Sequence, residues 1–296
     1  MNKFIVILGP TASGKTTLAV SLALQLNGEI ISADSRQIYK GMNIGTGKDL
    51  KDYQINGSII EHHLIDILNP NQDYSVFHFQ NDCQNAMINI QEKNKLPIIC
   101  GGTGLYIESV LLDYKIPKTH PNNKLRKKLE QKTIQELTAY LVKLNQSEFK
   151  ADYHISKRRL IRSIEILEDK KHINMQKIGS SIVDNAIVIG LKADRSIILE
   201  SIQSRLYARL EEGMVAEVEN LIADGLDYNR LNYFGLEYKF IGQYLFDEIP
   251  YQDMLEKLNY AINRFSKRQM TFFRRMEKRG IKIEWIKKPN IMLVTK

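Results

Sequence analysis

Residues 9–16 read GPTASGKT, and the types and spacing there suit one task. Gly9 and Gly14 let the backbone turn until its N–H groups point inward at an anion, with Pro10, Thr11, Ala12 and Ser13 completing the loop. Lys15 adds a compact positive charge, and the Thr16 hydroxyl is a natural Mg²⁺ ligand. The apolar run FIVIL (4–8) precedes the loop and a helical pattern follows it, which is the context a phosphate cradle requires. Such a loop reports a polyphosphate with Mg²⁺. It does not report whose.

Two further stretches carry polar groups where apolar runs end. In SADSRQIYKGMNIGTGK (32–48), Asp34 closes the second run. A carboxylate there can hold Mg²⁺, take a proton from a nucleophile, or cap the segment that follows. Spacing leaves the three roles open. In CGGTGLY (100–106) there is no acid to hold metal or position water. Its glycines admit something large or simply turn the chain tightly, and Thr103 offers a hydroxyl.

The elements that position these groups form an α/β pattern. FIVIL (4–8), EIISA (29–33), LPIIC (96–100) and AIVIGLKA (186–193) are apolar throughout, as expected of parallel strands covered by helices on both faces. Ligands bind where the carboxyl ends of such strands converge, so the three loops are predicted to line one site. More than eighty residues separate the third and fourth strands, far beyond a simple crossover. They show helical periodicity and predict a helical insertion, residues 119–182, within a core of residues 1–118 and 183–296. Beyond the fourth strand, Leu206, Leu210, Met214, Val218 and Leu221 fall on one helical stripe that stops at Gly225. A final helix over 251–279 is predicted to turn Leu255, Leu258, Ile262, Phe265 and Phe272 inward and a row of Arg and Lys outward.

Composition narrows the class. The chain has 296 residues, 43% hydrophobic and 26% charged, which fits a globular protein of one or two domains. No apolar run is long enough for a membrane helix, and the first residues are too short in their apolar part for a signal peptide. The two cysteines, Cys83 and Cys100, form no metal-ligand spacing; they read as core thiols in a reducing cytoplasm. The net charge of +8 is uneven, for residues 119–185 hold fourteen Lys/Arg against eight Asp/Glu. That excess suits a polyanion such as nucleic acid, or equally a solvated helical surface.

GPTASGKT, DSRQIYKGMNIGTGK, GGTGLY and the late SKRQMTFFRR stand in the order and spacing of the tRNA dimethylallyltransferases, also called tRNA isopentenyltransferases. The resemblance spans nearly the whole chain. It implies a P-loop NTPase-like core with a helical insertion. It also implies transfer of a dimethylallyl group from dimethylallyl diphosphate to N6 of the adenine 3′ of the anticodon, position 37, in tRNAs reading UNN codons, by a monomeric, Mg²⁺-dependent cytoplasmic enzyme. By the same resemblance Asp34 is the general base, while Lys15 and Arg205 serve the departing diphosphate, with Arg209 the rival one turn on. Thr11 either contacts substrate or stabilises its loop. Asp34, Ser35, Arg36, Gln37, Thr103, Arg126 and the RRLIR run of Arg158, Arg159, Leu160, Ile161 and Arg162 match positions that contact RNA.

The chain departs from the family in two places. Glu237 of GLEYK stands where the family has glycine, and the Thr-Gly turn is missing from EDKKHINMQKIG. Both departures are expected to affect the helical edge of the RNA site and to leave the diphosphate pocket untouched. The rival functions are an ATP-dependent small-molecule kinase, a transferase acting on free adenine nucleotides, and a non-catalytic RNA-binding protein.

Overall fold

The computed structural model describes residues 3–55, 57–117, 119–144, 156–169 and 182–287. The chain forms two compact units, one comprising Met1–Asp113 with Ser180–Lys296 and the other Tyr114–Gly179. Among the described residues no helix is long and apolar enough to cross a membrane.

The larger unit opens with β1 (Phe4–Leu8), α1 (Lys15–Gln25) and β2 (Gly28–Ser32). Two short strands, β3 (Gln54–Ile55) and β4 (Ser58–Ile59), pair antiparallel, and β5 (His62–His63) joins the main sheet. Then come α2 (Val76–Glu92), β6 (Leu96–Gly101) and α3 (Gly104–Leu111). The smaller unit contributes α4 (Asn123–Glu130), α5 (Ile134–Leu144) and α6 (Lys157–Glu168). The chain returns to the larger unit with β7 (Ala186–Lys192), α7 (Arg195–Glu211), α8 (Met214–Ala223), α9 (Tyr228–Phe234), α10 (Leu236–Leu245), α11 (Tyr251–Lys278) and β8 (Glu284–Lys287).

Six parallel strands lie in the order β5-β2-β6-β1-β7-β8. Every residue of β1 and β2 is buried, which is why these runs show no alternation. Ile5, Ile7, Ile30, Ile98 and Leu191 pack with Leu18, Ala19 and Ala23 of α1 on one side of the sheet. The register sets Ser32 opposite Cys100 and Leu8 opposite both Gly101 and Gly190. The loops leaving β1, β2 and β6 therefore emerge together.

The two long C-terminal helices differ from the predicted ones. Gly213, at φ 97°, breaks the stripe into α7 and α8, so Leu206 belongs to one helix and Met214, Val218 and Leu221 to the next, with Leu210 half-buried at the end of the first. A left-handed glycine ends a helix without disturbing an i, i+4 pattern, so periodicity reads straight through it. Arg205 lies in the interior of α7. In α11 the buried seam is Met254, Leu258, Ile262, Ser266, Gln269, Phe273 and Met276. Leu258 and Ile262 are as expected, but Leu255, Phe265 and Phe272 sit half-buried at its margin. Two polar residues occupy inner positions that a hydrophobic reading assigns elsewhere.

In the smaller unit, Leu129, Leu137, Leu141, Leu160, Ile161 and Ile164 form a core of their own. The part of EDKKHINMQKIG from residue 170 onward lies outside the described residues.

Candidate active site

The cradle begins where β1 ends. Ala12 adopts φ 61°, a left-handed conformation rare outside glycine, and the buried Ser13 hydroxyl has no hydrogen-bond partner among the described residues. Lys15 folds back, its Nζ donating to the Pro10 carbonyl at 2.7 Å. Burial lowers the Lys15 pKa to about 8, against the opposing pull of Cys100 and Asp34 and with a further push from Arg205. A strained turn, an orphaned buried hydroxyl and an ammonium resting on a carbonyl describe a loop built around an anion.

Asp34 stands just beyond β2, half-buried, and its Oδ1 accepts the Arg36 N–H at 2.9 Å. That bond closes a turn, for no helix follows Asp34 to be capped; Oδ2 has no hydrogen-bond partner among the described residues. Thr103 ties the second loop to the third: its Oγ1 accepts the Ser35 N–H at 3.1 Å, and its own N–H donates to the Ala33 carbonyl. A Cβ at Gly101 would stand 2.3 Å from the Ala33 carbonyl oxygen, so these backbones meet only because Gly101 has no side chain. Gln37 is held in the framework, accepting from Ser32 Oγ at 2.8 Å and donating to the Gly47 carbonyl at 3.1 Å. The Arg36 guanidinium donates to the Tyr233 carbonyl at 3.0 Å and lies 5.3 Å from that ring.

Sequence reasoning missed the residue that joins the loops. Gln269 of α11 accepts the Thr11 N–H at 2.8 Å and donates to the Gly102 carbonyl at 3.0 Å. Its signal was a long polar side chain in a helical seam that is mostly apolar. Nearby, Phe272 covers Gly104, and Arg275 lies 4.0 Å from the Phe272 ring while pairing with the buried Glu108 at 2.8 Å.

Thr11 and Ala12 also line a small open cleft with Ile202, Leu206, Met214, Ile262, Arg205, Arg209 and Glu237. Arg205 and Arg209 both reach Asp49 Oδ2, at 3.0 and 3.8 Å. The two rival arginines thus act as a pair. Glu237 was expected to leave this region alone, yet it shares the cleft, because the first turn of α10 faces it; burial raises its pKa to about 7. The lining suits a small apolar group beside an anion.

For a metal, the described residues hold no cluster of three or more His, Cys, Asp or Glu. Thr16, at the second position of α1, makes no hydrogen bond through its hydroxyl among them. Mg²⁺ commonly takes few protein ligands and several phosphate oxygens and waters, so the residues present fit an ion that arrives with a diphosphate.

In the smaller unit, Arg158 and Arg159 are exposed, with no acid within ion-pair distance among the described residues. Arg162 donates to Glu165 at 2.9 Å and to the Thr119 carbonyl at 2.8 Å, and Arg126 forms a two-pronged pair with Glu165 at 2.7 and 2.8 Å. Burial pushes the Glu165 carboxyl up, but the bonds from Arg126, the Asn122 N–H and Arg162 outweigh it and hold the pKa low. Leu160 and Ile161, expected among the RNA contacts, have their side chains in the core, on the face of α6 opposite Arg158 and Arg159.

The model of the family described as IPP transferase matches residues 37–276, and that described as isopentenyl transferase matches residues 2–57. The chain is 48% identical to tRNA dimethylallyltransferase 1 of Parabacteroides distasonis over 96% of its own length and 92% of that protein. It is 42% identical to tRNA dimethylallyltransferase 2 of Shewanella sediminis, over 95% and 92%. Its fold matches the crystal structure of the tRNA isopentenylpyrophosphate transferase of Bacillus halodurans with a TM-score of 0.69 at 30% identity, covering 98% of this chain and 91% of that one. A eukaryotic dimethylallyltransferase caught acting on tRNA shares the fold at a TM-score of 0.79 and 20% identity, over 99% and 75%. The core is thus a P-loop NTPase-like α/β fold, and with the family model over most of the chain and relatives similar along nearly its whole length, this chain belongs to the IPP transferase family.

Proposed function

We propose that this chain transfers a dimethylallyl group from dimethylallyl diphosphate to N6 of the adenine 3′ of the anticodon in tRNA, acting as a monomer. The observation that carries the reading is the meeting of an anion cradle, an arginine pair and a carboxylate with one unengaged oxygen at the edge of a single sheet. Curated relatives of closely similar length are named for this reaction.

The exocyclic amine of adenine attacks C1 of the donor. The new N6–C1 bond forms as the C1–O bond breaks, and the electron pair of that bond leaves with diphosphate. Charge gathers on the departing oxygens, where Lys15, the loop N–H groups, Arg205 and Arg209 stabilise it. The N6 proton passes to Asp34 Oδ2, which raises the nucleophilicity of an amine whose lone pair is delocalised into the ring. Mg²⁺ held by Thr16 would neutralise further charge on the diphosphate. The apolar side chains Ala12, Ile202, Leu206, Met214 and Ile262 suit the five-carbon group. Arg158 and Arg159 contact RNA phosphates, and Arg162 and Arg126 shape the unit that presents them.

The test is incubation with Mg²⁺, labelled dimethylallyl diphosphate and transcribed tRNA carrying A or G beside the anticodon. Label enters only the A-bearing tRNA, and Asp34→Asn lowers turnover by ~10² or more with tRNA affinity little changed. Label in free AMP, or in neither RNA, contradicts the reading.

A further inference from the structure

The backbone that delivers Asp49 to the arginines is held from several sides. Glu217 of α8 accepts three successive N–H groups, from Asn43 at 2.8 Å, Ile44 at 2.6 Å and Gly45 at 3.1 Å, and also the Tyr238 hydroxyl at 2.8 Å. The buried Lys48 donates to Asn43 Oδ1 at 3.2 Å, to the Tyr39 carbonyl and to Asp66. Gly47, at φ +64°, passes so close to α7 that a Cβ would lie 1.9 Å from Arg209 Nη2. Asp49 stands two residues on. Its side chain does not cap the short 3₁₀ turn that it precedes; it reaches across to Arg205 and Arg209 through one oxygen.

Two guanidiniums converging on one carboxylate oxygen is the arrangement that a phosphate oxygen receives from such a pair. Left alone, the arginines would repel each other in a partly desolvated cleft: burial and then Arg209 lower the Arg205 pKa, and Asp49 and Asp52 oppose them. The Asp49 side chain is 43% exposed and that of Arg205 40%, while Arg209 is 15% exposed. A solvent-reachable pair of this kind is weak enough for a competing anion to displace.

We propose that Asp49 is the resident counter-anion of the Arg205–Arg209 pair, occupying the place of a diphosphate oxygen in the donor-free enzyme and giving way when the donor binds. The assignment rests on the reading of that pair as the diphosphate contact. Asp49 is then a positioning residue: it acts through the arginines and sets how tightly the donor is held.

The experiment is calorimetric titration of the full chain with inorganic pyrophosphate and Mg²⁺. An exposed pair couples weakly, so Asp49→Asn binds pyrophosphate about two- to fivefold more tightly than wild type. Asp49→Glu, which keeps the charge, stays close to wild type, and Arg205→Gln binds roughly tenfold more weakly or worse. An Asp49→Asn affinity equal to or below that of wild type, with Arg205→Gln weakened, overturns the counter-anion and leaves the diphosphate contact standing. An Arg205→Gln affinity equal to wild type overturns both.

Discussion

Lys15 and Asp34 lie within electrostatic reach of each other, and each is engaged by its own loop through a single bond. A lysine whose pKa has fallen to about 8 is cationic below that pH and neutral above it. Pyrophosphate affinity therefore falls as pH rises through about 8, by up to about tenfold per pH unit, and the fall disappears in Lys15→Gln; calorimetry at several pH values checks this. For folding the sign is opposite. The unfolded chain binds a proton that folded Lys15 releases between about 8 and the ordinary lysine value of 10.5, so this group's penalty on stability is full below that window and is relieved across it. The places of the loop lysine and the strand-end aspartate, at the ends of β1 and β2, were legible because each sits in a motif, whereas Arg205 came only through the resemblance. Glu237 was visible but misplaced, because a side chain's neighbours across a fold are not written in its spacing. Asp49 was not singled out, since an Asp after Gly-Lys reads as an ordinary turn residue.

At the scale of elements, α11 does more than cover the sheet. Gln269 bridges the first and third loops, so Gln269→Ala leaves the Thr11 N–H and the buried Gly102 carbonyl without their partner. The expected loss is about 2–4 kcal/mol of stability and roughly tenfold in kcat/KM for the donor, measured by denaturant unfolding and steady-state kinetics. A loss of stability with unchanged donor KM would make Gln269 a core residue only. In α6, the exposed Arg158 and Arg159 separate from the ion-paired Arg162. Changing both to Gln lowers the salt slope of tRNA binding by ~0.7 for each lost phosphate contact; an unchanged slope assigns them to a solvated face. Strands were legible as continuous β-branched runs, and the four main ones fall within a residue of their expected ends. Helix α11 was legible in extent but not in rotation, because Ser266 and Gln269 are buried and Gln269 satisfies loop groups that hydrophobic periodicity does not count.

For the whole molecule, one division of labour follows. A parallel sheet sets the polar ends of β1, β2 and β6 side by side, while α7, α10 and α11 close the cleft with arginines, a carboxyl and apolar side chains. The fold class could be read from four apolar runs and a glycine loop. The closure could not, since it joins residues such as Asn43 and Glu217 that are distant in the chain. The claim beneath the whole account is that the cradle holds an allylic diphosphate in preference to a nucleotide. Calorimetric titration with Mg²⁺ and either dimethylallyl diphosphate or ATP tests it most directly. Saturable one-to-one binding of dimethylallyl diphosphate, at least about tenfold tighter than ATP and lost in Lys15→Gln, is the predicted result. ATP binding more tightly than dimethylallyl diphosphate would contradict it.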